Sequence, residues 1–165
     1  LMGMPPVLCG LVVYIIFMRR GPLGSLKLNY TVTVMIVAQT LLILPIILGL
    51  TMDAAREKQK RIQMLAKTLG ADGPQTLRLF IFELRFGLIT ALVSGFSRAI
   101  SEVGAVMIVG GNIEGKTRVM TTYISQLKGM GEFERAVAVG ILLLLISFAM
   151  NSVLYHFQKE KSHET

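Results

Sequence analysis

Residues 32–52 form a run of 21 residues without a charged side chain, and this run limits the possible folds more than any other feature. As an α-helix rising 1.5 Å per residue, the run would be about 31 Å long, close to the roughly 30 Å of a bilayer hydrocarbon core. It is too long and too uniformly apolar for a β-strand. The run therefore predicts a transmembrane helix, with a kink at Pro45 that neighbouring helices can accommodate.

Three further apolar blocks cover residues 4–18, 86–109 and 136–155. Only 16% of the residues are charged, against about 25% in soluble domains, and 53% are hydrophobic. These features predict an all-α, polytopic membrane protein with about four transmembrane helices in a single transmembrane domain. Because the first block is short for a span and carries no signal-peptide pattern, we expect the natural protein to begin upstream.

The sequence offers little catalytic or metal-binding chemistry. The formal net charge of +7 is typical of membrane proteins with basic loops, so nucleic acid is not the expected partner. The single cysteine, Cys9, excludes an internal disulfide and a cysteine-based metal cage. His156 and His163 have no second ligand at metal-binding spacing, and Glu132 with Glu134 predicts an exposed face. We therefore expect no catalytic residue, no cofactor and no metal site.

The distribution of lysine and arginine predicts the orientation of the chain. Seven basic residues lie in the loop 53–85, and two more lie in the tail on the same side of the membrane. Seven others lie on the opposite side. Because basic residues concentrate in cytoplasmic loops, their density in 53–85 predicts that this loop is cytoplasmic and that the loop 110–135 is external. Arg19 and Arg20 favour the opposite orientation.

The segment GGNIEGKT, residues 110–117, matches the P-loop pattern G-x-x-x-x-G-K-[ST]. A P-loop joins a buried strand to a helix, and its backbone N–H groups hold the phosphates of a nucleotide. Here the pattern follows a predicted span and lies on the predicted external side. The only aspartates, Asp53 and Asp72, lie upstream, so no Walker B aspartate follows. We interpret the segment as a glycine-containing external turn.

The long loop 53–85 has the pattern of two helices joined by a tight turn. Apolar residues recur at spacings of three and four between residues 53 and 69, which places them on one helix face. Gly70 is typical of a helix C-terminus, and Asp72 or Gly73 before Pro74 is typical of a new start. The loop is therefore either an amphipathic element on the membrane surface or a rigid knob for a cytoplasmic partner.

The stretch AKTLGADGPQTLRLFIFELRFGLITALVSGFSRAISEVGAVMIVGGN resembles the cytoplasmic loop and following span of ABC importer permeases. The loop of that family reads EAA, three residues, G, nine residues, I-x-L-P. With the glycine at Gly70, the chain has Met64, Leu65 and Ala66 at the EAA positions, and Glu83 stands where the family has proline. The glycine and one alanine match, whereas the acid and the proline do not.

The likeness to one branch of the family is closer. The segments PPVLCGLVVY, RRGPLG, AQTLLILPII and SRAISEVGAVMIVGGNIEGKTRVMTTYI, with the final apolar span, are similar to tungstate permeases, which are related to molybdate permeases. The resemblance covers nearly the whole chain.

The resemblance implies a transport mechanism. Such permeases pair with a second permease copy in the membrane lipid of the prokaryotic inner membrane, and each copy carries a cytoplasmic ABC ATPase subunit. The pair shares an extracytoplasmic oxyanion-binding protein. ATP binding closes the ATPases, and the loop helices swing the spans from inward-open to outward-open. By the motif match, the residues that couple to the ATPase are Ala66, Leu69, Gly70, Ala71, Asp72 and Pro74.

Arg98 and Glu102 lie inside the third apolar block, four residues apart, so they share a helix face and can form a pair. A charge in mid-membrane costs at least about 3 kcal/mol, so it faces a cavity, a partner or a transport path. The pair lines an anion path, or it is a structural pair, or the span begins later than 86. Ser101 belongs to the same polar surface, and Asn112 and Thr117 are candidates for substrate contact at the outer mouth.

Two other functions compete with the permease interpretation. One is a membrane-attached P-loop ATPase built on GGNIEGKT, which would bind nucleotide alone. The other is a secondary carrier driven by an ion gradient through Arg98 and Glu102, which would work without an ATPase. The surroundings of Gly70 argue against both. Tungstate and molybdate are tetrahedral dianions of nearly equal size, and the sequence does not distinguish them.

Overall fold

The structure is a computed structural model that describes residues 5–160, with side chains described through residue 153. Residues 5–160 contain helices and no strand, so the predicted all-α class is confirmed. Six α-helices and one 3₁₀ turn follow in order: α1 Pro6–Phe17, the 3₁₀ turn Gly24–Leu26, α2 Val32–Thr68, α3 Gly73–Ile100, α4 Gly104–Gly110, α5 Met120–Gly129 and α6 Phe133–Glu160.

Helix α2 joins the predicted span 32–52 to the helix predicted between residues 53 and 69. It begins after Thr31, whose hydroxyl accepts the Val34 N–H, and it continues without interruption to Thr68. Pro45 lies inside the helix and does not end it. The helix continues through the charged segment after residue 52 because that segment consists mainly of strong helix formers and contains neither glycine nor proline. The end of the membrane span at residue 52 stays a prediction.

The turn between α2 and α3 has the predicted stop and start signals. Gly70 adopts a left-handed φ of 66°, which favours glycine. Asp72 caps α3 in a capping box with Gln75: the Gln75 N–H donates to Asp72 Oδ1 at 2.9 Å, and the Asp72 N–H donates to Gln75 Oε1 at 3.1 Å. Pro74 stands in the first turn of α3, where its missing N–H costs nothing.

The block 86–109 is not one helix, contrary to expectation. Helix α3 ends at Ile100 and α4 begins at Gly104, and we call residues 101–103 the α3 break. The physical reason lies in Glu102, whose carboxylate accepts the Ala105 N–H at 3.0 Å and so satisfies a donor at the start of α4. A side chain that bonds the local backbone in this way competes with continued helix formation.

The buried core lies where α1, α2 and α4 meet. Its main members are Val13, Val34, Ala38, Val106 and Val109, all almost fully buried. Cys9 is also buried, and its thiol lies 3.8 Å from the Ala38 carbonyl oxygen.

Among the residues that the structure describes, three helical segments are long and apolar enough to cross a membrane: Val32–Thr68, Gly73–Ile100 and Phe133–Val153. The predicted span 4–18 corresponds to α1, a shorter apolar helix, and residue 4 lies outside the described residues. The predicted loop 110–135 contains α5, and the predicted span 136–155 lies within α6.

Candidate functional site

The α3 break brings a carboxylate into a buried position. Glu102 is 5% exposed. Its side chain accepts the Ala105 N–H at 3.0 Å, and its backbone carbonyl accepts the Thr121 hydroxyl at 3.2 Å. A buried charge is costly unless it is hydrogen-bonded and paired, so the contacts of Glu102 keep the break in one conformation.

Arg98 lies in the last turn of α3, and its side chain extends toward Glu102, four residues further along the chain. Its Nη2 atom lies 4.0 Å from Glu102 Oε2, and the two side chains differ in exposure, 44% for Arg98 and 4% for Glu102. The Ser101 hydroxyl donates to the Arg98 carbonyl at 3.0 Å. The ion pair is long, and the guanidinium keeps an open face. The positive charge of Arg98 is therefore partly exposed, whereas the negative charge of Glu102 is shielded.

A cavity of about 390 Å³ opens beside the break. Its polar lining comes from Glu102, Gln39 and Thr121, and the rest consists of apolar side chains of α2, α3, α4, α6 and the start of α5. The Gln39 amide donates to the Ala99 carbonyl at 3.4 Å. Sequence reasoning missed Gln39 and Thr121. The signal for Gln39 was available, because it is the one amide side chain in the run 32–52.

Asn112 and Thr117 lie away from this cavity, in the turn after α4. Thr117 is 2% exposed, donates to the Gly110 carbonyl at 2.5 Å and accepts the Ile113 N–H at 2.9 Å. The Asn112 amide donates to Gln126 Oε1 at 2.7 Å. These contacts hold the turn against α5. A role for either residue in substrate passage stays a prediction.

The segment 110–117 has none of the strand–loop–helix geometry of a P-loop. It follows helix α4, which ends at Gly110, and Gly111 closes that helix in the left-handed region. The next helix begins only at Met120. The backbone N–H groups of Lys116 and Thr117 both donate to the Ile113 carbonyl, so they are engaged within the turn.

The predicted coupling residues lie around the turn between α2 and α3. We call residues 62–81 the hairpin tip. Leu69 is 76% exposed, and Gly70, Asp72 and Pro74 are exposed beside it, whereas Ala71 is half-buried. Ala66 is 3% exposed, so its side chain is shielded within the chain. A role for Ala66 in coupling stays a prediction.

The hairpin tip also exposes apolar side chains that sequence reasoning did not select. Met64 is 70% exposed, and Leu65, Leu77 and Ile81 are exposed as well. Lys67 and Arg78 lie in the same segment, and exposed apolar side chains that lie near one another are typical of an interaction surface. Its signal in the sequence was the presence of apolar residues on more than one face of the loop helices.

Nearly the whole chain matches one protein family. Residues 1–163 match the family described as binding-protein-dependent transport system inner membrane component. The chain belongs to this family. No solved structure matches it.

Several relatives have names that state the anion or metal they transport. This chain is 53% identical over 160 residues to the tungstate uptake system permease protein TupB of Peptoclostridium acidaminophilum, and the match covers 97% of this chain and 70% of the relative. It is 36% identical to a probable anion ABC transporter permease protein of Haloferax volcanii, covering 95% and 70%. It is 28% identical to the molybdenum transport system permease protein ModB of Azotobacter vinelandii, covering 96% and 74%.

Family membership confirms the predicted class of protein and its location. The permease is a multi-pass inner-membrane component of an ABC importer, and its relatives are transport subunits. A binding-protein-dependent system implies an ATPase and a substrate-binding protein as partners.

Proposed function

We propose that the chain is the permease subunit of an ATP-driven importer of tungstate, with molybdate as the alternative oxyanion. The observation that carries the proposal is the half-exposed Arg98 guanidinium beside the shielded Glu102 carboxylate. A guanidinium attracts a tetrahedral dianion and donates paired hydrogen bonds to its oxygens. The relatives that transport tungstate and molybdenum support the same substrate class.

In this proposal the oxyanion passes the α3 break. Arg98 supplies the attraction, Glu102 positions Arg98 and prevents it from binding the anion too tightly, and Ser101 offers a further polar contact. Asn112 and Thr117 belong to the outer mouth, where they shape the turn that the arriving substrate meets.

The charge distribution and the exposed surfaces support the proposed orientation and partners. The loop 53–85 with its basic residues faces the cytoplasm, and the hairpin tip receives the ABC ATPase subunit through Ala66, Leu69, Gly70, Ala71, Asp72 and Pro74. Residues 110–135 face outward, toward an extracytoplasmic oxyanion-binding protein. A second permease copy completes the path, and membrane lipid covers the remaining apolar helix faces.

ATP hydrolysis belongs to the partner subunit in this mechanism. Nucleotide binding draws the two ATPases together, and each hairpin tip moves with the ATPase that holds it. The displacement opens the path outward, and release of the nucleotide products returns it to the inward-open state.

The test compares Arg98→Gln with Arg135→Gln in the complete permease, assembled with its ATPase and binding protein in proteoliposomes. Arg135 is exposed and pairs with Glu132 on the surface, so it is a matched control. We expect Arg98→Gln to lower ATP-dependent tungstate uptake at least tenfold and Arg135→Gln to change it less than twofold. Equal uptake by both variants would refute the role of Arg98. Uptake without any ATPase would identify an ion-driven carrier instead.

A further inference from the structure

Helices α2 and α3 approach closely along the hairpin, both near its tip and near the α3 break. A Cβ atom added to Gly87 would lie 2.6 Å from the Ala54 Cβ, and one added to Gly95 would lie 2.7 Å from Ile47 Cγ1. Both distances are shorter than side chains tolerate, so the glycines allow the two backbones to approach. The two helices are therefore in direct contact at two levels.

A lysine fastens the two helices one turn from the Gly87 contact. Lys58 on α2 donates to the Glu83 carbonyl on α3 at 2.6 Å, and its Nζ lies 3.5 Å from Glu83 Oε2. Lys58 follows Ala54 by four residues, and Gly87 follows Glu83 by four, so the polar contact and the glycine contact are adjacent. Apolar packing resists separation of the helices, and a directed hydrogen bond also resists sliding along their axes.

The contact between Lys58 and Glu83 involves a position at which this chain differs from the loop pattern of ABC importers. Glu83 stands at the position that the pattern assigns to proline, and α3 runs without interruption from Gly73 to Ile100. A proline inside the helix would remove a backbone N–H and kink it. The uninterrupted α3 instead joins the hairpin tip directly to the α3 break, where Arg98 and Glu102 lie.

We propose that Lys58 is a positioning residue for transport: its bond to Glu83 locks α3 to α2, so that a displacement of the hairpin tip reaches the α3 break. This inference rests on the proposed function. Without the bond, α3 slides on α2 and part of the displacement is lost before it reaches Arg98. The ATPase cycle then continues while fewer anions cross per ATP.

The test uses the complete permease assembled with its ATPase and binding protein in proteoliposomes, and it measures ATP hydrolysis and tungstate uptake in the same sample. Lys58→Met removes the donor with little loss of apolar packing, and Lys58→Arg keeps a cationic donor. The matched control is Lys60→Met, an exposed lysine two residues away on the same helix.

We expect Lys58→Met to hydrolyse ATP at the normal rate while uptake per ATP falls about fivefold, the size expected for the loss of one net hydrogen bond. Lys58→Arg recovers most of the ratio, and Lys60→Met keeps it. Normal uptake per ATP in Lys58→Met overturns the inference. An equal loss in Lys60→Met also overturns it, because uptake per ATP would then depend on the basic charge of the loop and not on the bond to Glu83. A parallel loss of assembly, hydrolysis and uptake in Lys58→Met also overturns it, since that result indicates a merely structural role. If the unmodified complex takes up no oxyanion, the proposed function itself fails.

Discussion

At the scale of single residues, the site depends on how one buried charge is satisfied. Glu102 uses one carboxylate oxygen for the Ala105 N–H and places the other 4.0 Å from Arg98. The carboxylate therefore ends one helix, begins the next and orients a guanidinium. Because its acceptor role and its charge are separable, substitutions can distinguish them.

Glu102→Ala and Glu102→Gln test this division. The alanine variant leaves the buried Ala105 N–H without an acceptor, and we expect a loss of about 1–3 kcal/mol in stability. The glutamine variant keeps a carbonyl acceptor, and we expect less than half that loss. Denaturation of the purified permease in detergent measures both. Equal losses in the two variants would show that the charge, not the hydrogen bond, stabilises the break.

At the scale of elements, the α2–α3 hairpin depends on its turn. Gly70 provides the left-handed residue, and Asp72 with Gln75 closes the first turn of α3. The turn is exposed, so these local bonds, rather than burial, set its conformation. The end of α3 is also fastened to α6, because the Ser97 hydroxyl donates to Asn151 Oδ1 at 2.7 Å.

Asp72→Ala removes the acceptor of the Gln75 N–H, and we expect the first turn of α3 to lose about 1 kcal/mol. Amide hydrogen exchange of residues 73–80 measures the loss as exchange that is about fivefold faster. Asp72→Asn is the matched control, because its side-chain carbonyl accepts the same bond. Faster exchange in both variants would mean that the carboxylate charge matters more than the cap.

At the scale of the whole molecule, function depends on which end of the hairpin faces the cell interior. The basic residues of 53–85 favour a cytoplasmic tip, whereas Arg19 and Arg20 favour the reverse. Both reporter positions, Asp72 and Lys116, are exposed in the structure. The orientation is therefore open to direct chemical labelling.

A membrane-impermeant thiol reagent applied to intact cells should label Lys116→Cys and not Asp72→Cys. The native Cys9 is buried, and the unsubstituted permease measures its background. In permeabilised cells we expect both substituted positions to react, which controls for accessibility. Labelling of Asp72→Cys alone in intact cells would invert the proposed orientation.

Local patterns in the sequence predicted much of this protein. The uncharged run 32–52 predicted a span, the signals around Gly70 and Asp72 predicted the turn, and the resemblance predicted the family. Such features depend on hydropathy and on hydrogen bonds between near neighbours. They do not require knowledge of distant packing.

Only the tertiary structure showed that the predicted span 32–52 and the helix predicted between residues 53 and 69 form one continuous helix, that Glu102 interrupts the block 86–109, and that Ala66 is buried. It also brought together Lys58 and Glu83, 25 residues apart. These facts depend on which groups meet across helices. Hydropathy treats 86–109 as one apolar run. It contains no information on the hydrogen bond by which the buried Glu102 carboxylate accepts the Ala105 N–H at the start of a new helix.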